Sequence, residues 1–137
     1  MKEFQCPVRV YIEDTDAGGI VYYVNYLKYM ERARTEFLRS LGYDKNFIFS
    51  EDLMFVVHSV DVRYHLPARL DDELTATARI AESGAAQLVF EQRILRGDED
   101  QGIEELCGGH VRIVCVDKQS LKPRRMPKTL LAALTAA

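Results

Sequence analysis

The sequence predicts an α+β protein in which one long helix packs against a mainly antiparallel sheet of five strands. Apolar residues recur every three or four positions in only one long segment, 25–41, whereas most other segments alternate between apolar and polar residues. The later alternating segments follow one another through short connections, which favours antiparallel pairing. At 137 residues the chain is long enough to bury a core, and we expect a single domain, 1–137.

The first strand is predicted over 7–13, because valine and isoleucine alternate there with arginine and tyrosine. An acidic turn follows, in which the glycine pair 18–19 permits backbone angles that other residues avoid. The helix is then predicted to run to Leu41, with Asn25 as its N-cap and Gly42 as its C′ residue.

Four more strands are predicted after the helix. Segment 43–53 is expected to be a loop that contains at most a short helical turn. A short helix is expected over 128–134, and the pair Gly108–Gly109 indicates a bulge or a close backbone contact. Alternation and turn residues place the four strands at residues 54–65, 73–82, 87–95 and 107–117. Because a single helix covers only part of such a sheet, we expect a homodimer or a higher even-numbered oligomer such as a homotetramer.

Composition and charge exclude several classes of function. The formal net charge of −3 gives no overall attraction to nucleic acid, so we expect no nucleic-acid partner. The three cysteines and three histidines fit no metal-ligand spacing, so we expect no metal and no other cofactor. With neither a signal-peptide stretch nor a membrane-spanning apolar run, the expected location is cytoplasmic.

The candidate site is the acidic turn that leads into the long helix. A carboxylate just ahead of a helix N-terminus can attack a carbonyl or activate water against it, while unpaired helix N–H groups hold the oxygen that becomes negative. Asp16 has this position. Aspartate before glycine also occurs simply because it forms turns, and the spacing alone leaves both interpretations open.

The turn and the helix together resemble a known enzyme family. The chain is similar to the hot-dog-fold acyl-CoA thioesterases, and in particular to the Tol-Pal-associated acyl-CoA thioesterases, which are related to 4-hydroxybenzoyl-CoA thioesterase. The resemblance extends over nearly the whole chain. Its motifs are Tyr11-x-x-Asp14-Thr15-Asp16-x-x-Gly19-x-Val21-Tyr22, Glu31-Arg32-Ala33-Arg34, Val60 to Tyr64, Pro67 to Asp72, Val114 to Asp117 and Lys122-Pro123-Arg124.

The resemblance implies a long central helix wrapped by an antiparallel sheet, with active sites between two protomers. It implies hydrolysis of an acyl-CoA thioester to the free acid and CoA. The catalytic carboxylate of the family falls on Asp16, its oxyanion-binding backbone N–H falls on Tyr23, and Asp14 is expected to be a turn or support residue. The Tol-Pal-associated members usually carry histidine at position 23, whereas the hydroxybenzoyl-type enzymes carry tyrosine. A main-chain donor survives that exchange, but an imidazole acting as acid or base would not.

Three further residues are candidates for substrate binding. Tyr22 is expected to line the acyl pocket. Arg69 and Arg124 are expected to meet the phosphates of CoA, although basic residues of this kind are equally often a solvated surface.

Two other functions compete with thioester hydrolysis. An acyl-thioester hydratase or dehydratase on the same fold would need a histidine paired with an acid, and the helix contains no histidine. The other competitor is a non-catalytic module that binds acyl carriers, with peripheral association to inner-membrane or lipid-synthesis proteins. Within the hydrolase hypothesis, the sequence leaves open whether Asp16 is the nucleophile or the general base on water.

Overall fold

The computed structural model describes residues 3–50 and 52–136, excluding the side chains of residues 48–50. Within that range five strands form one sheet with the order β1-β3-β4-β5-β2, and every neighbouring pair is antiparallel. The strands are β1 (Phe4–Arg9), β2 (Leu53–Tyr64), β3 (Glu73–Ser83), β4 (Gln87–Asp98) and β5 (Gly102–Asp117). The helices are α1 (Val24–Ser40), α2 (Lys45–Ser50) and α3 (Lys128–Ala136), with one turn of 3₁₀ helix at Ile12–Asp14. The prediction of one long helix on a five-stranded antiparallel sheet is confirmed.

Helix α1 packs against β1, β3 and β4 through the apolar face that its sequence period predicts. Tyr29, Met30 and Ala33 are completely buried on that face, and Phe37 is nearly so. Burial of each large apolar side chain contributes about 1.5–3 kcal/mol to folding, so this face fixes where the helix lies on the sheet.

The C-terminus of α1 is the one that the sequence predicts. Gly42 follows the helix with a φ of 92°, a left-handed conformation that glycine adopts without steric cost. Its N–H donates to the Arg39 carbonyl, and the Tyr43 N–H donates to the Leu38 carbonyl, which is the Schellman arrangement.

The N-terminus of α1 differs from the prediction. The N-cap is Tyr23, and Asn25 is a buried residue inside the first turn. The amide of Asn25 donates to the buried carboxylate of Asp14 instead of capping its own helix. A partner eleven residues earlier in the chain therefore overrides the local N-cap preference.

The first strand also differs from its predicted range of 7–13. It occupies Phe4–Arg9, because the chain turns into the 3₁₀ helix soon afterwards. The Tyr11 N–H donates to the Asp14 side chain, which closes that turn. Ile12 is consequently 76% exposed, although the alternating pattern places it on the buried face.

The hairpin between β4 and β5 is longer than predicted. Its strands run to Asp98 and from Gly102, whereas the sequence predicts that they end at residue 95 and begin at residue 107, so the connection shortens to residues 99–101. Gly109 confirms the predicted close contact, because a Cβ there would overlap the carbonyl of Asp61 on β2. The register break of β5 against β4 lies at Leu106 instead.

Two further predictions concern short helices. The segment 43–53 does contain a helix, α2, and the tail helix α3 forms as predicted. None of the described helices is long and apolar enough to cross a membrane.

Candidate active site

The loop that carries Asp16 is closed by backbone hydrogen bonds. The Asp16 N–H donates to the Ile20 carbonyl at 2.9 Å, and the Gly19 N–H donates to the Asp16 carbonyl at 3.1 Å. Gly19 has a φ of 81°, so the tight return of the chain requires the left-handed conformation there. These bonds fix the backbone of Asp16 at the tip of a short loop directly before α1.

The carboxylate of Asp16 is exposed in the single chain. One of its oxygens accepts the Gly18 N–H at 2.8 Å, which is the Asx-turn bond that aspartate before glycine commonly makes. The other oxygen has no hydrogen-bond partner among the described residues. The turn interpretation and the reactive interpretation of Asp16 are therefore compatible, because the turn occupies only one of its oxygens.

Asp14 connects the Asp16 loop to the first turn of α1. It is only 5% exposed, and its two oxygens accept separate hydrogen bonds at 2.8 Å, from the Asn25 amide and from the Tyr11 N–H. Its backbone carbonyl also accepts the Tyr22 N–H at 2.9 Å. One buried residue thus ties together the 3₁₀ turn, the loop and the helix N-terminus.

The hydroxyl of Tyr29 lies below this cluster. It is buried and makes no hydrogen bond within the described part of the chain. Burial raises the pKa of Tyr29, and the nearby Asp14 carboxylate raises the pKa further. Tyr29 therefore stays neutral beside a buried negative charge. The sequence alone does not connect Tyr29 with Asp14, because only the fold brings the two together.

The start of α1 presents an unpaired donor. Tyr23 has helical angles, with φ −56° and ψ −29°, and its side chain does not cap the helix. The N–H groups two and three residues later turn back onto the preceding residues, Asn25 onto the Tyr22 carbonyl and Tyr26 onto the Tyr23 carbonyl, whereas no acceptor among the described residues is found for Val24. Over residues 3–50 and 52–136, no acceptor is found for the Tyr23 N–H itself. This N–H lies at the positive end of the dipole of α1.

The structure brings Asp16 and the Tyr23 N–H to the same end of α1. The chain runs antiparallel to itself here, because Asp16 pairs with Ile20 and Asp14 pairs with Tyr22. At about 3.4 Å per residue, Asp16 lies about 7 Å along this short ladder from Tyr22. A substrate group of ordinary size can therefore lie between the carboxylate and the helix N-terminus.

Aromatic side chains surround this end of the helix. The rings of Tyr22 and Tyr23 have centroids 5.0 Å apart, and Tyr23 meets Tyr64 of β2 edge-on at 6.0 Å. Tyr22 and Tyr23 remain 48% and 58% exposed. Tyr22 is thus half exposed beside Tyr23, and its role in lining an acyl pocket stays a prediction. Tyr64 was missed, because its place beside Tyr23 depends on the position of β2 in the sheet.

Arg69 lies close to the Asp16 loop. It forms a backbone bridge with Ile20, and its N–H donates to the Asp72 carboxylate at 2.9 Å. The adjacent Ala68 N–H donates to the Tyr26 hydroxyl at 2.9 Å, which anchors this segment on α1. The structure therefore brings Arg69, Asp16 and the helix N-terminus together.

Arg124 lies elsewhere in the chain. Its N–H donates to the Cys115 carbonyl, whereas Tyr64 pairs with Cys107 of the same strand, β5. Eight residues of strand separate these two positions, which is roughly 27 Å. Within one chain, Arg124 therefore does not join the site at the start of α1.

The described residues contain no group of three or more His, Cys, Asp or Glu side chains arranged to hold a metal ion. The groups available for chemistry at this end of α1 are an exposed carboxylate and an unpaired backbone N–H. Such a pair can attack, or direct water to, a carbonyl carbon while it stabilises negative charge on the carbonyl oxygen.

Comparison with known proteins assigns the chain to a family. The model of the thioesterase-like superfamily matches residues 10–134. The acyl-CoA thioester hydrolase YbgC of Escherichia coli O6:H1 (strain CFT073) is 43% identical over 129 residues, which cover 94% of this chain and 93% of that protein. The acyl-CoA thioesterase YbgC of Haemophilus influenzae is 42% identical over 131 residues, with 95% and 93% covered.

A solved structure supports the same assignment. A probable thioesterase from Bartonella henselae superposes with a TM-score of 0.82 at 35% identity, covering 92% of this chain and all of that one. The hot-dog fold that the sequence motifs imply is confirmed by this match together with the order of the strands. The chain belongs to the thioesterase-like superfamily.

Proposed function

We propose that this chain hydrolyses acyl-CoA thioesters to the free acid and CoA, with Asp16 as the catalytic carboxylate and the Tyr23 N–H as the oxyanion donor. The observation that carries the proposal is the unpaired N–H at the start of α1 beside a carboxylate with a free oxygen. The relatives described above support the reaction, because two of them are named as acyl-CoA thioesterases or thioester hydrolases.

The two groups would act on opposite ends of the thioester carbonyl bond. Tetrahedral addition at the carbonyl carbon moves an electron pair onto its oxygen, and that oxygen is the group that the Tyr23 N–H would hold. One well-placed donor of this kind is typically worth about 3–4 kcal/mol of barrier. Because a helix N-terminus is fixed before the substrate arrives, no side-chain rearrangement is needed at the moment of reaction.

Asp16 would supply the attacking electron pair in one of two ways. As a nucleophile it forms a mixed anhydride with the acyl group, CoA leaves as the thiolate, and water then hydrolyses the anhydride. As a general base it takes a proton from a water molecule, which adds directly to the carbonyl carbon, and the C–S bond of the tetrahedral intermediate then breaks to release CoA as the thiolate. Repeated turnover in ¹⁸O-water tests for the anhydride: label in the aspartate supports that route, because water can add to the aspartyl carbonyl only when the carboxylate has been acylated.

Substrate contacts would come from the surrounding side chains. Tyr22 is proposed to line the acyl pocket, because its ring is half exposed beside Tyr23. Arg69 is proposed to meet a CoA phosphate from its position next to the Asp16 loop.

A homodimer would complete this site. Strand β2 forms an edge of the sheet, and it exposes Val57, Val60 and Tyr64. Antiparallel pairing of β2 with its copy would exchange the two ends of the strand, which would place Arg124 of the partner subunit near the Tyr64 end of this chain. A second CoA-binding arginine would then reach the site from the partner. A homotetramer, a cytoplasmic location and peripheral association with inner-membrane or lipid-synthesis proteins stay predictions.

The decisive experiment is the replacement of Asp16 by asparagine. Asp16→Asn keeps the shape and the acceptor for Gly18 while it removes the charge, so kcat should fall at least about 10²-fold with an unchanged oligomeric state. The assay is steady-state release of CoA across a panel of aliphatic and aromatic acyl-CoAs. Near-normal turnover would remove Asp16 from the mechanism, and no turnover of any acyl-CoA by the unmodified protein would favour the non-catalytic module.

Tyr23→Phe tests the role of the backbone at the helix N-terminus. Only the main-chain N–H is proposed to act, so this variant should keep kcat within about threefold of the unmodified protein. The same CoA-release assay measures it. A loss comparable to that of Asp16→Asn would mean that the phenolic hydroxyl takes part in the reaction.

A further inference from the structure

The connection between β2 and β3, residues 65–72, lies against the Asp16 loop. The Val21 N–H donates to the Ala68 carbonyl at 2.9 Å. Ile20, whose carbonyl accepts the Asp16 N–H, forms a backbone bridge with the residue that follows Ala68. The loop that carries the carboxylate is therefore held in place by the β2–β3 connection.

The β2–β3 connection is itself fixed to α1 and is strained near its end. Ala68 is completely buried, and its N–H donates to the Tyr26 hydroxyl at 2.9 Å. Asp71 has a φ of 69°, in the left-handed region that residues with a side chain seldom occupy. Such a conformation persists only where the surrounding contacts determine it strongly. The contacts that fix the end of the connection therefore matter for its shape.

One arginine of β4, Arg96, contacts both ends of the β2–β3 connection. Its Nη1 donates to the Pro67 carbonyl at 3.1 Å and to Oδ2 of Asp72 at 2.9 Å. The same carboxylate oxygen accepts the Arg69 N–H at 2.9 Å. Hydrogen bonds between charged groups are stronger than those between neutral groups. The guanidinium thus ties the beginning of the connection to its end.

The guanidinium of Arg96 is also held by β5. Its Nε donates to the Glu104 carboxylate at 3.1 Å. The hydrogen bonds to Glu104 and Asp72 raise the pKa of Arg96, so the guanidinium stays charged. The side chains of Arg96 and Asp72 are 26% and 25% exposed, so solvent screens their pair less than it screens an ion pair on the open surface. Arg96 thus links the sheet to the β2–β3 connection through a partly shielded ion pair.

We propose that Arg96 is a positioning residue for thioester hydrolysis, which holds the β2–β3 connection so that the connection in turn fixes the Asp16 loop. The contacts extend from Arg96 to the two ends of the connection, and from Ala68 in its middle to Val21 of the Asp16 loop. Arg96 acts through these contacts and not on the substrate. This inference rests on the proposed catalytic role of Asp16.

Replacement of Arg96 by glutamine tests the proposal. Arg96→Gln removes the charge and the paired donors, so the connection should loosen and the Asp16 carboxylate should lose its fixed place. Because a misplacement of about 1 Å can cost about 10²-fold in rate, kcat should fall at least about tenfold at saturating acyl-CoA. Arg96→Lys keeps the charge and one donor group, and should recover part of kcat. A change confined to KM would show that Arg96 acts on substrate binding, and would overturn the proposal.

Arg79 provides a matched control on the same sheet. It forms an ion pair with Glu91 at 2.9 Å, and the two side chains are 31% and 37% exposed, comparable to the Arg96 pair. Seven residues of strand separate Arg79 from Asp72, which is roughly 23 Å. Arg79→Gln therefore removes an equivalent pair without loosening the connection, and kcat should stay within about twofold. An equal loss of kcat in both variants would show a general effect of lost ion pairs and would overturn the proposal.

Hydrogen exchange followed by NMR tests the positioning without any substrate. In Arg96→Gln, the amide of Val21 should exchange at least about tenfold faster than in the unmodified protein, because its acceptor at Ala68 is held less firmly. The amide of Met30, inside α1, should keep its rate, and Arg79→Gln should leave both amides unchanged. Unchanged exchange at Val21 in Arg96→Gln would refute the positioning role.

Failure of the positioning role and failure of the proposed function give different results. A normal kcat of Arg96→Gln in a protein that hydrolyses acyl-CoA would overturn the role of Arg96 and leave the proposed function intact. Absence of turnover by the unmodified protein would overturn the proposed function, and the role of Arg96 in hydrolysis with it. Loss of kcat together with faster exchange at Val21, in Arg96→Gln and not in Arg79→Gln, is the expected result and supports the proposal.

Discussion

Replacement of Asp14 by alanine should destabilise the protein far more than any change at Asp16. Asp14 is 5% exposed, and its carboxylate accepts hydrogen bonds from the Asn25 amide and the Tyr11 N–H. Asp14→Ala leaves both donors without their acceptor. Each hydrogen bond to a charged group contributes about 1.5–3 kcal/mol, and a buried donor without a partner costs a similar amount.

The two lost bonds together give an expected destabilisation of about 3–6 kcal/mol. Removal of the buried charge offsets part of the cost, so we expect a value near 3 kcal/mol. At about 4 °C per kcal/mol for a domain of this size, Tm should fall by about 12 °C. Asp14→Asn should lie between the alanine variant and the unmodified protein, because it keeps one acceptor oxygen and loses the other.

Thermal unfolding followed by circular dichroism measures the effect, with Asp16→Asn as the matched control. Asp16 is exposed and its side chain accepts only the Gly18 N–H, which an asparagine oxygen also accepts. The control should therefore unfold within about 2 °C of the unmodified protein. A Tm of Asp14→Ala equally close to that of the unmodified protein would refute the assignment of a buried anchoring role to Asp14.

Two further predictions concern the interior of the sheet and the thiols. Gly109→Ala should lower the free energy of unfolding by at least about 2 kcal/mol, because the added Cβ overlaps the Asp61 carbonyl and must displace β2. Chemical unfolding measures this free energy, and an unchanged stability would contradict the contact. Cys107 should resist iodoacetamide at pH 8 in the folded protein and react after unfolding, because burial raises the pKa of its thiol to about 12. Mass spectrometry measures the extent of alkylation, and rapid alkylation of the folded protein would contradict the prediction.

Local signals account for the parts of the fold that the sequence predicts. Helix α1 repeats its apolar residues with the helical period, and Gly42 supplies the left-handed residue that ends it. Strand β3 alternates cleanly between apolar and polar residues, and the turn of the β4–β5 hairpin is rich in aspartate and glycine. In each of these elements, neighbouring residues carry the information that determines the structure.

The two wrongly predicted boundaries, the end of the first strand and the start of α1, have a non-local physical cause. The alternating pattern extends the first strand through Ile12, but a hydrogen bond from Tyr11 to the Asp14 side chain bends the chain into a 3₁₀ turn. Asparagine is a residue type that is favoured at N-caps, yet the side chain of Asn25 donates to the Asp14 carboxylate and the residue lies inside the first turn of the helix. A single buried group thus displaced both predicted boundaries, and no local pattern reveals that Asp14 is buried.

The residues of the candidate site also divide into those that a local motif predicts and those that only the fold brings together. Asp16 and Tyr23 follow from the resemblance of a contiguous motif, and the structure places them at one end of α1. Tyr64 lies beside Tyr23 only because β2 occupies the edge of the sheet next to β5. Its contribution depends on pairing between distant segments, which a single sequence does not reveal.

Two carboxylates lie two residues apart in this turn, and their surroundings differ in the way that their proposed roles require. Asp14 uses both of its oxygens on internal donors, so no lone pair directed outward remains easily available for a substrate. Asp16 uses one oxygen on Gly18 and keeps the other free in an exposed position. A nucleophile or a base needs an accessible lone pair, whereas a residue that fixes geometry needs burial and several partners. The 3₁₀ turn separates these requirements, because it directs residue 14 inward beneath the helix and leaves residue 16 on the loop above it.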